Sequence, residues 1–478
     1  MDYALEAERG RAPLSSRSRL WGFWEYTWAN AALAIATWGF LIGGSMALVV
    51  DVKQGLLAIV LGNVLGVLLV GLAVSVSAGK YGVEQYTFMR SVFGHNGSRL
   101  IYFFAMVLLT VGWLVVLGIM FGRSIDSVIS VVAEREVNPN GWYISLLTIL
   151  AIALTAFVVA KGPTSIKVFN TIVAPALILI MGLMIWLFLH DSSVAELLSM
   201  QALDSPFSSD RANFMVAVEI NIAAGFSWWP YIGNLSRITK NERVAFWPNL
   251  VGICGAAIAG EIVGMLGAVK YGNADPTQWM AETGGIWLSA VVLFFVAFAN
   301  VTSMANILYT AVVGMRQMFQ KLLGRLSWEW LVVAFCAIPI IVLFLVPGLY
   351  DGFMIFLVWT AALYSALTGI MIIDYYLLRK RIVRLRELFV EGRQSAYYFI
   401  GGFNPASMFA MVLGVILFAV TFNPYTFSHS GYFVFTTASL LTAAAAGAIY
   451  WILSEIFSIR RGLGGYMTVN QKTPEAAR

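Results

Sequence analysis

Trp38-Gly39-Phe40-Leu41-Ile42-Gly43-Gly44 and Gly225-Phe226-Ser227-Trp228-Trp229-Pro230 are apolar stretches broken by glycine and proline. They lie in the first and the sixth long hydrophobic segments, matching places in the two halves of the chain. In lipid an unwound backbone leaves amides and carbonyls without partners, which is tolerated only where they line a protein or water-filled cavity. Paired interruptions in corresponding helices of two halves point to the midplane binding site of a secondary transporter. Trp38 and Gly39 at the first interruption, with Phe226, Ser227 and Trp228 at the second, are therefore candidate substrate-binding residues.

The rest of the chain supports a membrane setting. Of its 478 residues 60% are hydrophobic and only 12% charged, where a soluble domain carries about 25% charged residues; the mean hydropathy is +0.80. Apolar runs of ~20 residues recur along nearly the whole length, each long enough to cross a bilayer core of ~30 Å. The net charge of +5 is no nucleic-acid signal, because the basic residues cluster in alternate loops. Cys254 and Cys336 lie inside apolar runs and read as small packing residues rather than a disulfide pair. The first ~20 residues are polar and basic, without the short apolar region and small-residue cleavage site of a signal peptide.

Twelve spans are expected, near 28–50, 54–78, 98–125, 142–160, 166–190, 212–234, 246–270, 284–312, 329–347, 352–378, 404–422 and 431–457. They give an all-α polytopic membrane protein. Lys and Arg fall in alternate loops: Arg9 and Arg11 before span 1, Lys80 and Arg90 after span 2, Lys161 and Lys167 after span 4. Arg237 follows span 6, Lys321 span 8, Arg379-Lys380-Arg381 span 10, and Arg460-Arg461 span 12. Loops on the other side hold mostly acids, among them Asp126, Asp204, Asp275 and Asp351. The bias places both termini in the cytoplasm of an inner (plasma) membrane protein. Spans 1–5 and 6–10 form two groups of five, and an odd number of crossings inverts the second relative to the first. The organisation expected is a cytoplasmic N-terminal segment (1–27), a transporter core (28–378), a basic cytoplasmic loop (379–402), two accessory spans (403–458) and a cytoplasmic tail (459–478).

Polar residues inside spans are costly and become functional candidates. Asn300, Thr302, Ser303 and Asn306 lie close together in span 8, with Asn300, Ser303 and Asn306 at three-residue intervals along one helix face. Trp113 sits mid-span beside Gly112. It and the aromatic break of span 6 offer two faces for a flat heteroaromatic ring, at about 0.5–1.5 kcal/mol per stacked pair, with Asn306 reading the ring's polar edge. Glu219 and Glu261 are the carboxylates deepest in apolar runs, placed either to carry a proton or to serve as hydrogen-bonded structural acids. Metal-ligand spacing, a catalytic triad and phosphate loops are absent from the sequence, which argues against an enzyme.

Several segments resemble the nucleobase–cation symporter-1 family of cytosine, purine, allantoin and hydantoin permeases. They are Leu61-Gly62-Asn63, Lys80-Tyr81-Gly82 followed by Arg90-Ser91-Val92-Phe93-Gly94, Gly112-Trp113, Gly225-Phe226-Ser227-Trp228 through Asn234-Leu235-Ser236-Arg237, Asn306 with Tyr309, and Asp374-Tyr375-Tyr376. The set runs in order over roughly residues 20–380. The resemblance implies a LeuT-like five-plus-five inverted repeat, alternating access, and a substrate held between Trp113, the span-6 break and Asn306. Two departures stand out. Leu117 occupies the place where hydantoin-type members have Gln. Asn300 and Val301 occupy the places where sodium-coupled members have hydroxyl residues, so that Asn300 with the carbonyls of Ala34 and Thr37 would form a thinner sodium site. Proton coupling through Glu219 or Glu261 is the alternative.

The function expected is cation-coupled import of a nucleobase or related planar heterocycle, with Na+ or H+ as the coupling ion, and the lipid bilayer and a small heterocycle as partners. A transporter of a thiamine- or pyridoxine-like heterocycle on the same fold is the runner-up; a passive channel fits less well, as the chain has no ring of acids or carbonyl filter. Trp113→Ala is expected to abolish saturable uptake of the heterocycle while leaving membrane insertion intact, checked by radiolabel uptake against the amount of protein in the membrane fraction.

Overall fold

The computed structural model describes residues 12–466 apart from 16, 18, 20 and 36; Arg9, Arg11 and the end of the tail lie outside these. Among the described residues nine helices are long and apolar enough to cross a membrane. They are Val52–Tyr81 (span 2), His95–Val132 (span 3), Tyr143–Ala160 (span 4), Thr171–Asp191 (span 5, whose helix starts at Pro163), Glu242–Tyr271 (span 7), Ile286–Met318 (span 8), Trp328–Leu345 (span 9), Phe353–Leu378 (span 10) and Ala438–Ile459 (span 12). Span 1 is a bent pair, 1a (Phe23–Ala34) and 1b (Trp38–Ala47), meeting at 62°. Span 6 is the pair 6a (Asp210–Phe226) and 6b (Trp229–Ser236), and span 11 is the apolar helix Pro405–Thr421. The order is that expected from the sequence. Leu150, Phe157, Leu179, Trp186, Ile341 and Phe344 on spans 4, 5 and 9 are exposed, an apolar surface that needs lipid to cover it.

The helices start and stop on recognisable chemistry. Asp51 caps span 2 by accepting from the Gln54 amide at 2.9 Å, and Gly82 ends it in the left-handed region. Ser209, Ser327 and Thr437 cap 6a, span 9 and span 12 through their hydroxyls.

The first interruption is not where the glycines suggest. Trp38–Ala47 is one continuous helix, and the break falls ahead of it, between Ala34 and Trp38. The glycines serve packing instead. A Cβ on Gly43 would collide with the Glu261 carbonyl of span 7, and one on Gly264 of span 7 with the Phe40 backbone. Spans 6a and 2 meet in the same manner, where a Cβ on Gly225 would lie 2.8 Å from the Gly66 Cα. Small residues let transmembrane backbones approach this closely. As whole spans, 1 with 7 and 6 with 2 are counterparts when the second group of five is laid on the first, although the glycine contacts use the second half of span 1 and the first half of span 6.

On the side of the basic loops, Arg379 is not the free surface charge its sequence cluster suggests. It is 3% exposed and donates to Asp374 at 2.6 Å, to the Ser91 carbonyl at 2.5 Å and to the Gly464 carbonyl at 2.8 Å. Tyr450 and Tyr466 both donate to Asp374 Oδ1, at 2.7 and 2.9 Å. This cluster joins span 10, span 12, the loop after span 2 and the segment after span 12. On the opposite side Arg123 bridges Asp275 at 2.8 Å and Asp351 at 2.9 Å.

Gly43→Leu is expected to destabilise the protein by about 1–3 kcal/mol or more through overpacking. Gly182→Ala, where a Cβ meets nothing within 4 Å, should be neutral or stabilising by up to about 1 kcal/mol. Thermal unfolding of the two variants in one detergent checks the contrast.

Candidate functional site

Several backbone groups at the breaks stay hydrogen-bonded. At the second, Ser227 N donates to the Ala223 carbonyl at 2.9 Å and Trp228 N to the Gly225 carbonyl at 3.3 Å, before Tyr231 N resumes the helix on the Trp228 carbonyl at 3.0 Å. The Ser227 hydroxyl donates to Ala224 O at 2.6 Å. At the first, Ile35 N still bonds the Ala31 carbonyl at 2.8 Å, and the Thr37 carbonyl accepts from Phe40 N at 3.1 Å and from Leu41 N at 3.4 Å. The turns bend the path and re-aim side chains.

What they re-aim is aromatic. Trp38, the first residue of 1b, packs edge-on against Trp113 of span 3 (centroids 6.3 Å apart) and against Trp228 in the span-6 break (5.7 Å). Three indoles from three elements thus converge, each buried to 6–7% exposure. Trp113 also meets Phe353 at 5.3 Å and Phe356 at 6.4 Å, both edge-on. Gly112 makes room for this, since a Cβ there would strike the Phe356 ring. Phe353 and Phe356 open span 10 and were not among the sequence candidates; their three-residue spacing just after Gly352 was the available signal. Phe226 is fully buried, and Leu117 is buried one turn along span 3 from Trp113. Gly39 lies inside the 1b helix, its Cβ position facing Gly260 of span 7.

The polar candidates divide. Thr37 and Asn300 meet: the Thr37 hydroxyl donates to Asn300 Oδ1, and Asn300 Nδ2 donates to Val296 O at 2.9 Å. Both are fully buried, so the break in span 1 is tied directly to span 8, next to Ala34 at the end of 1a. Thr302 bonds back to the Ala299 carbonyl at 2.8 Å, while Ser303 is half-buried. Asn306 is half-buried and donates to the Thr302 carbonyl at 2.9 Å. Glu219 accepts from both Ser439 N (3.0 Å) and the Ser439 hydroxyl at the start of span 12. Glu261 lies elsewhere, against Asn63 of span 2 at 2.6 Å. Asn234, at the exit of 6b, accepts from the Gln85 amide at 3.0 Å, and Gln85 Nε2 donates to the Trp229 carbonyl at 2.8 Å; the loop after span 2 is fastened to the broken helix there. Among the described residues no group of three His, Cys, Asp or Glu is placed to hold a metal ion.

Two broken helices crossing beside spans 3, 8 and 10, with an aromatic cluster at the breaks, define a membrane transporter built on an inverted repeat. The profile described as "Permease for cytosine/purines, uracil, thiamine, allantoin" matches residues 13–452, and the chain belongs to this family, the nucleobase–cation symporters expected from the sequence. It is a transporter and not an enzyme. A curated relative, the purine-uracil permease NCS1 of Arabidopsis thaliana, is 22% identical over 470 residues, covering 92% of this chain and 76% of the relative. The fold is that of Mhp1. Its inward-facing conformation matches with a TM-score of 0.77 at 19% identity, over 93% of this chain and 94% of Mhp1. Mhp1 in a closed conformation with bromovinylhydantoin bound matches at 0.74 and 19% identity, over 94% and 96%.

Thr37→Val keeps the shape of the side chain but strands Asn300 Oδ1 in the core. A loss of about 1–3 kcal/mol of stability is expected, read as a fall in unfolding temperature, with a smaller loss for the double variant Thr37→Val/Asn300→Leu, which removes both partners' polar groups at that contact.

Proposed function

We propose that this protein imports a nucleobase or a closely related planar heterocycle by alternating access, driven by the inward movement of a cation. The observation that carries this reading is the convergence of Trp38, Trp113 and Trp228 at the two helix breaks. Trp38 touches each of the other two rings edge-on, and a flat heteroaromatic ring entering between Trp113 and Trp228 gains offset stacking on their faces, worth about 0.5–1.5 kcal/mol for each well-stacked pair. Phe353 and Phe356 back Trp113 and hold it in place. Asn306 and Ser227 supply the amide and hydroxyl that orient the polar edge of the ring, and Leu117 presents an apolar wall. The family's description, and the purine and uracil named for the Arabidopsis relative, agree with this substrate class.

Cation coupling is part of the same reading. Ligand and ion together stabilise one state of the alternating-access equilibrium, so that downhill ion entry drives uptake. On this reading a sodium ion would draw on Ala34, Thr37 and Asn300, with Thr302 and Ser303 following Asn300 along span 8; the Thr37–Asn300 contact supports it by bringing two of these residues together. In the conformation described, the Thr37 carbonyl is used by the 1b helix and Asn300 Oδ1 by the Thr37 hydroxyl. This favours H+ over Na+ as the driving ion. The domain limits, and a cytoplasmic position for both termini, follow from the charge bias of the loops.

The test is thermal stabilisation of detergent-purified protein by a panel of uracil, cytosine, adenine, hypoxanthine, allantoin, a hydantoin and thiamine, with and without sodium. A ligand present at 100 times its Kd stabilises by about 2.7 kcal/mol. One nucleobase is expected to raise the unfolding temperature clearly in the wild type and not in Trp113→Ala or Phe353→Ala. Stabilisation by thiamine alone would transfer the substrate class to vitamin-like heterocycles, and uptake that does not collapse with an ionophore would make the protein a passive facilitator.

A further inference from the structure

Glu219 and Glu261 have the same chemistry in opposite settings. Glu219 has both oxygens engaged by the N-terminal turn of span 12, from the Ser439 amide and hydroxyl, where unsatisfied helix amides favour negative charge. It is a hydrogen-bonded structural acid that fastens the accessory spans to the core. Glu261 is also fully buried, midway along span 7. It has a single donor, Asn63 Nδ2, at 2.6 Å from Oε2, and its Oε1 has no partner among the described residues.

The surroundings of Glu261 do not offset a charge. Asn63 Nδ2 is shared with the Ile59 carbonyl at 3.0 Å and with Asn221 Oδ1 at 3.3 Å. Two amide hydrogens therefore face three acceptors, and the junction is one hydrogen short while the carboxyl is ionised. Asn221 is itself committed to the Ala217 carbonyl at 2.7 Å and to Met46 Sδ at 2.9 Å. Of the elements packed around this point, span 1b has no titratable side chain, and 6a brings Glu219, already engaged at span 12. Span 7 itself adds Cys254, whose Sγ lies 3.6 Å from the Asn63 carbonyl. The other described titratable groups of spans 2, 5, 6a and 7 (Lys53, Lys80, Tyr81, His190, Asp191, Asp210, Arg211, Glu242, Arg243, Lys270 and Tyr271) sit near the span ends. A proton added to Glu261 removes both the buried charge and one surplus acceptor.

The position also links the carboxyl to the substrate cluster. The backbone of Gly260 and Glu261 is what Gly39 and Gly43 of 1b pack against, and 1b begins with Trp38. A tilt of 1b on substrate binding alters the seal over Glu261 without any contact between substrate and carboxyl.

We infer that Glu261 is the proton-binding site of this transporter, taking up one proton from the outer side and releasing it inward as 1b moves against span 7, with Glu219 excluded from that role. The inference rests on the cation-coupled reading above. The step is a proton transfer alone: Glu261 carboxylate plus H+ gives the neutral acid, and the proton leaves on the other side with the substrate.

The experiment uses full-length protein in proteoliposomes, with radiolabelled uracil or adenine, whichever stabilises the wild type. Two modes are measured: accumulation driven by an inward pH gradient or by a sodium gradient, and self-exchange at equal pH. One proton per substrate allows about tenfold accumulation per pH unit. The wild type and Glu219→Gln are expected to accumulate substrate with the pH gradient. Glu261→Gln is expected to lose that accumulation and keep self-exchange, which needs no net proton movement and shows the variant is folded. In weakly buffered detergent, substrate is expected to change the proton content of the wild type, followed with an indicator dye, and that of Glu261→Gln not at all. Accumulation by Glu261→Gln driven by the pH gradient overturns the assignment, as does a wild type driven by sodium alone or one whose dye signal survives in Glu261→Gln. A wild type without exchange of any base overturns the transport reading and this assignment with it.

Discussion

Hydrocarbon offers no hydrogen bonds, so every bend in a spanning helix has to satisfy its own donors within the protein. That constraint shapes both interrupted spans. At Ser227-Trp228 the turn is so tight that each amide finds a carbonyl three or four residues back. Near Thr37 the carbonyl is taken by the start of 1b and the hydroxyl by Asn300 of span 8. The breaks are therefore short pivots held at both edges by hydrogen bonds. The side chains thrown off at the pivots are large indoles that need a shared place to be buried, and the cluster of Trp38, Trp113 and Trp228 is that place.

A second constraint is closeness. Helices 1b and 7, and helices 6a and 2, touch backbone to backbone through glycines. Such contacts leave no side chains to cushion displacement, so each pair is either docked or separated. The polar junction of Asn63, Asn221 and Glu261 lies where these two pairs meet. Substrate-side aromatics and a buried carboxyl are thereby connected through rigid helices, without a continuous chain of hydrogen bonds between them.

Much of this was legible in the sequence, and the misreadings are instructive. Twelve apolar runs and their order could be read because the bilayer demands them. The span-6 break could be read because Pro230 has no amide to donate and must sit in the first turn of a new helix. The span-1 break was placed too late. Gly39, Gly43 and Gly44 carry the same letter as helix breakers, yet here they admit a neighbouring backbone, and sequence alone does not distinguish the two uses. Phe353 and Phe356 went unnoticed because phenylalanine near the start of a span is as common facing lipid as facing a site. Arg379 passed for a loop cation; its partners Ser91 and Gly464 are 288 and 85 residues away, beyond the reach of any local pattern. The two buried acids could be found by depth, but only the folded chain shows that Glu219 meets a helix terminus and Glu261 a shared amide.

The closure around Arg379 has a consequence for biogenesis. Its ion pair with Asp374 is complete only when Tyr450, Gly464 and Tyr466 arrive to bond it. At a synthesis rate of about 5–20 residues per second, the end of span 10 waits on the order of several seconds with a strong acid and a strong base still hydrated. The repeats can assemble in that interval, but their basic-loop end cannot dehydrate. The segment after span 12 acts as the clasp that closes this end of the bundle.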